Sequence, residues 1–191
     1  MSGARLRVNI YTQQTRDWVA QFIVPLNICP FARKEVENNK IRYEVLNFND
    51  DNSFYELFSQ ELNWLHENPE TETSLIILPQ LVDNFDAFLN QTGFAQQILQ
   101  LEGYSGVFQL ANFHPAYVFA DAEEQDPANY TNRSPWPALH ILREESLARA
   151  IRAHKNAEQI PVQNMRQLRE LGSDEIKDLL TRIFSPGSNS C

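Results

Sequence analysis

One cysteine and two histidines are the side chains in this sequence whose types could carry out chemistry together. Cys29 lies in the segment NICPFA, His114 in NFHPAYVF and His140 in PALHIL. A thiol becomes a nucleophile when a neighbouring imidazole accepts its proton or when its surroundings are electropositive. We therefore predict that Cys29, His114 and His140 share one catalytic pocket.

Two arginines close to these residues suggest the kind of substrate. Arg133 precedes the strand that carries His140, and Arg143 follows it. A guanidinium group holds a carboxylate or phosphate through two parallel hydrogen bonds, which favours a small anionic substrate. We predict a small-molecule enzyme, a hydrolase or transferase, in which the two arginines clamp the anion. The other candidates for substrate binding are Arg33, Asn112, Tyr117, Asn132, Ser134 and Glu144.

Three other interpretations use the same residues. Cys29, His114 and His140 could be three metal ligands with water in a fourth position, although their spacing does not demand a metal. The arginines and Ser134 could form a non-catalytic anion-binding pocket. Arg143 and Glu144 could be an internal ion pair that holds the long loop. The sequence identifies no cofactor, and a histidine alone more often serves the core than catalysis.

The position of Cys29 bears on its reactivity. Proline is favoured at the first position of a helix, so Pro30 predicts a short helix to about Asn38 with Cys29 at its N-cap. The helix dipole, together with Arg33 and Lys34, would then lower the pKa of the thiol. The alternative is a small buried residue beneath a kink, because free cysteine is among the most buried residue types.

Composition and charge exclude several classes of protein. The chain has 191 residues and a net charge of -9, and residues 43–132 contain fifteen acidic side chains and no lysine or arginine. Such a surface cannot follow a phosphate backbone, so we expect no nucleic-acid partner. Neither a membrane span nor a secretory signal is evident, which predicts a cytoplasmic protein. The oligomeric state is not predicted.

Four apolar segments predict the strands that position these residues, at 41–48, 75–78, 106–114 and 138–142. With the helical segments between them they predict an α/β fold with a mixed sheet of about four strands flanked by helices. The first three strands should be parallel and the fourth should lie beside the third. A long ordered loop joins strands three and four, and a loop of this length is usually functional. We expect one globular domain over residues 1–185 and a disordered tail over 186–191 that contains Cys191.

The helix boundaries are predicted from capping residues. A first helix over residues 12–26 would begin at Thr12 or Thr15 and be kinked or ended by Pro25. Ser53 and Glu56 have the spacing of a capping box, and Asp83 would cap the long helix that follows the second strand. A break in that helix is possible at residues 92–93.

Three motifs together carry a resemblance to a known family. The segments NICPFA (27–32), NFHPAYVF (112–119) and NRSPWPALHILRE (132–144) resemble the signature of the bacterial domain-of-unknown-function family fourteen-fifteen. The similarity covers roughly residues 11–156, and Trp136 stands where the family pattern has tyrosine. The resemblance implies membership of a family but no activity, so function is argued from residue chemistry.

Overall fold

A computed structural model describes the backbone of residues 2–185 and the side chains of residues 10–185. The predicted tail at 186–191, with Cys191, lies outside the described residues. The α-helices are α1 (Ser2–Trp18), α2 (Ala32–Glu37), α3 (Asp51–Glu67), α4 (Phe85–Leu101), α5 (Glu144–Ala153), α6 (Ile160–Leu171) and α7 (Ser173–Phe184). The strands are β1 (Ile41–Val45), β2 (Thr73–Ile77), β3 (Phe108–Phe113) and β4 (Ala138–Arg143). Between residues 2 and 185 no helix has the length and apolar character that a membrane span requires.

The strands form one mixed sheet in the order β1-β2-β4-β3. β1 and β2 are parallel, and β4 runs antiparallel to both β2 and β3. The predicted α/β class, four-strand sheet and adjacency of β3 and β4 are confirmed. β2 and β3 run in the same direction, as predicted, but β4 lies between them. The reason is apolar burial, since Ala138, Leu139 and Ile141 of β4 are fully buried and belong in the middle of a sheet.

Helices cover both faces of the sheet. One row of paired residues crosses it from Tyr43 through Leu75 and His140 to Ala111, so these four side chains share a face. We call this the His140 face; α1, α6 and α7 pack on it through Trp18, Leu168, Ile176 and Ile183. The opposite face packs against Phe54, Phe58, Phe88 and Ile98, and we call it the α3–α4 face.

Several helix ends differ from the predicted positions. α1 begins before Thr12, and the Thr15 hydroxyl donates to the Tyr11 carbonyl within the helix instead of capping it. The chain then widens into a π-helix over Val19–Ile23. Proline removes one backbone donor and crowds the preceding turn, and the wider turn just before Pro25 accommodates that disturbance.

The caps of α3 and α4 also lie one or more residues from the predicted ones. The N-cap of α3 is Asp50, whose carboxylate accepts the N–H of Ser53 while the Ser53 hydroxyl accepts the N–H of Asp50. Asp50 and Ser53 thus cap the helix reciprocally, although Ser53 is the third residue of the helix and not its N-cap. Asn84, not Asp83, caps α4, and α4 continues without a break through Gly93.

Candidate functional site

The long loop between β3 and β4 is held together by its own polar groups. Asn129 is fully buried in it and accepts a hydrogen bond from the N–H of Phe119. Its amide nitrogen donates to the carbonyl oxygens of Glu123 and Glu124. One buried side chain therefore satisfies three backbone groups of an irregular segment, which explains how the loop stays ordered.

Arg133, predicted to hold a substrate anion, binds this loop instead. Its Nε donates to the carbonyl oxygen of Tyr117 at 3.0 Å and its Nη2 to that of Glu124 at 2.7 Å. The guanidinium group also lies 5.0 Å from the ring centre of Tyr130. Its planar group of donors is thus used to join two parts of the loop.

The neighbouring candidates have similar roles. Asn132 donates through Nδ2 to the carbonyl oxygen of Asn112, and the Asn132 carbonyl accepts the N–H of His114. The Ser134 hydroxyl donates to the carbonyl oxygen of Trp136 at 2.6 Å and is buried. The motif that suggested a binding segment therefore joins the end of β3 to the beginning of β4.

His114 is fully buried and both of its ring nitrogens have partners. Nε2 lies 3.1 Å from the carbonyl oxygen of Leu81, and Nδ1 accepts the N–H of Ala116 at 3.0 Å. A carbonyl can only accept, so Nε2 carries the proton. The ring packs against those of Phe85 and Phe88, at centroid distances of 5.0 and 5.1 Å. Burial lowers the pKa of His114, so the ring is a neutral part of the α3–α4 side of the molecule.

Arg143 lies at the opposite end of β4 from Arg133. Its guanidinium group donates to the carbonyl oxygens of Leu65, Asn68 and Thr71, at and just after the end of α3. β4 is six residues long and so separates the ends at which the two arginines lie by about 20 Å. The structure therefore does not bring the predicted clamp together.

Two further candidate residues, Arg33 and Glu144, also form hydrogen bonds with backbone groups. Arg33 donates through Nη2 to the carbonyl oxygen of Val24 at 3.3 Å. Glu144 begins α5, and its N–H donates to the carbonyl oxygen of Val107. Among the described side chains, Arg143 forms no ion pair with Glu144, so the interpretation of these two as an internal pair is not realised.

His140 is the one predicted catalytic histidine whose polar atoms are not all occupied. Its Nε2 is buried and has no hydrogen-bond partner among the described residues, while part of the side chain stays accessible. Burial lowers the pKa of His140 to about 4, so the ring is neutral near pH 7. The ring lies 6.2 Å from that of Phe113. A neutral imidazole with an unpaired nitrogen can donate or accept a hydrogen bond.

Trp18, which was not among the site residues predicted from the sequence, supplies a second unpaired polar atom on the same face. Its indole lies 5.3 Å from the ring of Phe113 and the residue is 2% exposed, yet Nε1 has no partner among the described residues. A buried indole N–H usually finds an acceptor. The sequence signal for this atom was the tryptophan itself, on the side of a helix that its apolar spacing predicts to be buried.

Cys29 belongs to the same hydrophobic cluster as Trp18 and is partly buried. α2 begins at Ala32, so Cys29 precedes its N-cap, Phe31. Burial raises the pKa of the Cys29 thiol, and the interaction with the backbone of Phe31 and Ala32 offsets this only in part. The predicted lowering of the thiol pKa is therefore wrong, because desolvation outweighs the nearby dipoles.

The structure places the three predicted catalytic residues on two sides of the sheet. Cys29 and His140 lie on the His140 face, whereas His114 packs against Phe88 on the α3–α4 face. Within residues 2–185 no three side chains of histidine, cysteine, aspartate or glutamate are grouped so that they could hold a metal ion. The three-ligand arrangement is accordingly not formed.

Because folded His140 is neutral, we expect the protein to become less stable as the pH falls. An unfolded histidine has a pKa near 6.5, so between pH 6.5 and about 4 the unfolded chain binds a proton that folded His140 does not. We expect the free energy of unfolding to fall by about 1 to 2 kcal/mol between pH 7 and pH 5 because of this residue.

Urea unfolding at a series of pH values measures the effect. In the variant His140→Phe, the part of the pH dependence that His140 causes should be absent. Buried His114 should contribute a smaller loss of stability in acid, of the same sign, and that part should remain. An unchanged pH dependence in the variant would contradict a buried, neutral His140.

Comparison with known proteins assigns the chain to a family without assigning an activity. The family model described as "Protein of unknown function (DUF1415)" matches residues 10–178. No curated protein and no solved structure matches the chain. The match covers most of the 191 residues and includes all three motifs that suggested the resemblance. The chain therefore belongs to the DUF1415 family.

Proposed function

We propose that the protein binds a small organic molecule on the His140 face, next to Phe113. The observation that carries this proposal is that Trp18 Nε1 and His140 Nε2, both buried and both without a partner in the part of the chain that the structure describes, belong to rings that contact Phe113. Leaving a buried polar group unpaired costs about 1 to 3 kcal/mol, so two around one ring are unusual unless something else satisfies them. A ligand that supplies both partners would recover this free energy.

The unpaired atoms define the chemistry of that ligand. The indole N–H can only donate, so the ligand must offer an oxygen or nitrogen acceptor. Neutral His140 can exchange a hydrogen bond with a hydroxyl or carbonyl group, and Phe113 and Leu75 supply apolar contacts. A neutral molecule with hydroxyl or carbonyl groups fits better than an anion, because Arg133 and Arg143 already donate to carbonyl oxygens.

A second candidate function is thiol chemistry at Cys29. It is favoured by the backbone of Phe31 and Ala32, which lowers the pKa of the thiol and partly offsets the effect of burial. His140, on the same face, is neutral and could accept a proton. No hydrogen bond joins Cys29 to His140, so a bound substrate would have to complete the arrangement. This candidate retains the cysteine and one histidine of the predicted pocket without the arginine clamp.

The binding proposal is tested through the indole N–H of Trp18. In 1H–15N spectra of the full chain, addition of neutral fragments with carbonyl or hydroxyl groups should move this signal saturably. Trp64→Phe, which removes a tryptophan of the α3–α4 side, should leave the response unchanged. Trp18→Phe and His140→Phe should weaken binding at least tenfold, which corresponds to the loss of one hydrogen bond of about 1.4 kcal/mol.

A response of Trp64 or Trp136 without Trp18 would contradict the proposed location, as would binding unaffected by both variants. Alkylation by iodoacetamide separates the two candidate functions when Cys191 is replaced by serine. Slow alkylation of Cys29 at pH 7, relative to the urea-unfolded chain, agrees with the raised thiol pKa and with simple binding. Alkylation faster than that of the unfolded chain would favour the thiol enzyme.

A further inference from the structure

A depression lies on the other side of the sheet from His140, between the beginning of α3 and the middle of α4. Its volume is about 420 Å³, within the range of small-ligand sites. It is lined by Asp51, Leu89, Asn90, Gln91, Gly93, Phe94 and Gln97. The helices that form it pack on the α3–α4 face, so it is separate from Trp18, Cys29 and His140.

Gln91 gives this depression the character of a binding site. The side chain is only 9% exposed, and its Nε2 is buried without a hydrogen-bond partner among the described residues. Buried amide groups are normally paired, and a buried glutamine on a helix could be replaced by leucine without losing any bond. Because Gln91 lines the depression, a rotation of its carboxamide would present the unpaired nitrogen to a ligand bound there.

Gly93 points to the same conclusion from the backbone. Glycine in the middle of a helix costs stability relative to alanine. At Gly93 the backbone is helical and an added Cβ would meet no atom within 4 Å, so neither conformation nor crowding requires glycine. Gln91 and Gly93, which are both unfavourable for stability at their positions, therefore line one depression. Residues of this kind are expected at functional sites.

The lining determines the chemical class of the ligand. Asn90, Gln91 and Gln97 offer amide groups that both donate and accept, as hydroxyl groups do. Phe94 and Leu89 provide an apolar wall suited to the C–H face of a sugar ring. The residues that line the depression include no basic side chain and one acidic one, Asp51, which disfavours an anion. We propose that this depression binds an uncharged, polyhydroxylated molecule such as a monosaccharide or disaccharide.

The test uses the full chain with glucose, N-acetylglucosamine, maltose and myo-inositol as probes, each added up to 50 mM while 1H–15N spectra are recorded. At least one probe should shift the Gly93 amide and the Gln91 side-chain NH2 signals saturably, and leave the Trp18 indole unmoved. Gln91→Leu should weaken that binding at least tenfold. The matched control Gln100→Leu, at an exposed position of α4 outside the depression, should bind as the parent chain does.

Gln91→Leu should also unfold at a higher temperature than the parent chain, because it removes an unpaired buried amide. A folded variant that no longer binds therefore cannot be explained by loss of structure. Absence of any saturable shift at Gly93 and Gln91, or binding that persists in Gln91→Leu, would overturn the proposal. Shifts at Trp18 alone would support the site on the His140 face and overturn this one, so the two proposals fail independently.

Discussion

A His114→Ala variant is expected to lose about 3 to 4 kcal/mol of unfolding free energy. The substitution removes a fully buried ring that packs against Phe85 and Phe88 and leaves a cavity there. It also leaves the Leu81 carbonyl and the Ala116 N–H without their partner. A cavity and two lost hydrogen bonds in one place explain why this effect should be large.

Urea unfolding at pH 7 measures this loss, with His66→Ala as control. His66 is exposed and its ring packs against that of Tyr104, so its removal should cost less than about 1 kcal/mol. If His114→Ala were as stable as the parent chain but failed to bind a ligand or turn over a substrate, His114 would be a functional residue and its structural role would be refuted.

Arg143→Ala is expected to destabilise the protein by about 2 to 3 kcal/mol. The last carbonyls of a helix lack partners within the helix, and Arg143 supplies donors to those of Leu65 and Asn68 at the end of α3 and to that of Thr71 beyond it. These bonds connect β4 to the segment between α3 and β2. Without the guanidinium group, three partly buried carbonyls lose a charged donor at once.

Two variants make this result specific. Arg143→Lys keeps the charge but cannot span three acceptors, so its loss of stability should be intermediate. Arg149→Ala removes an exposed arginine of α5 that pairs with Glu145, and its effect should stay below about 1 kcal/mol. If Arg143→Ala unfolded at the same urea concentration as the parent chain, the guanidinium group of Arg143 would not stabilise these carbonyls, and the proposed structural role of Arg143 would be refuted.

The polar residues of the motif between β3 and β4 have a structural role. Arg133, Asn132 and Asn129 all donate to carbonyl oxygens of neighbouring segments. An irregular loop has many backbone groups that no helix or strand satisfies, so its ordering requires polar side chains. A run of polar residues in a long loop can therefore build a scaffold as well as bind a ligand, and composition does not distinguish the two.

Much of the fold followed from local pattern. A continuous apolar run such as that of β2 is typical of a strand covered on both faces, and all five of its residues are buried. Alternation along β3 puts Phe108, Leu110 and Asn112 on one face, and the register of the sheet agrees. The helices on either side of Gly172 follow from the same kind of signal, because helical periodicity and a glycine are both local.

The candidate site depended on information that no local pattern contains. Alternation gives the residues that share a face within one strand, but the pairing of Ala111 with His140 decides how the faces of β3 and β4 correspond. That pairing puts His140 opposite the side on which His114 packs, and so divides the predicted pocket. A shift by one residue would have reversed the result.

The sequence by itself determined the α/β class, the strands, the long loop and the family signature, because each is encoded over a few neighbouring residues. The tertiary structure alone decided which polar groups find partners. Arg143 reaches carbonyls 72 to 78 residues away, and Trp18 Nε1 reaches none among the described residues. Hydrogen bonding of a side chain is a property of its neighbours in space, and these are set when the register of the sheet and the positions of the helices are established.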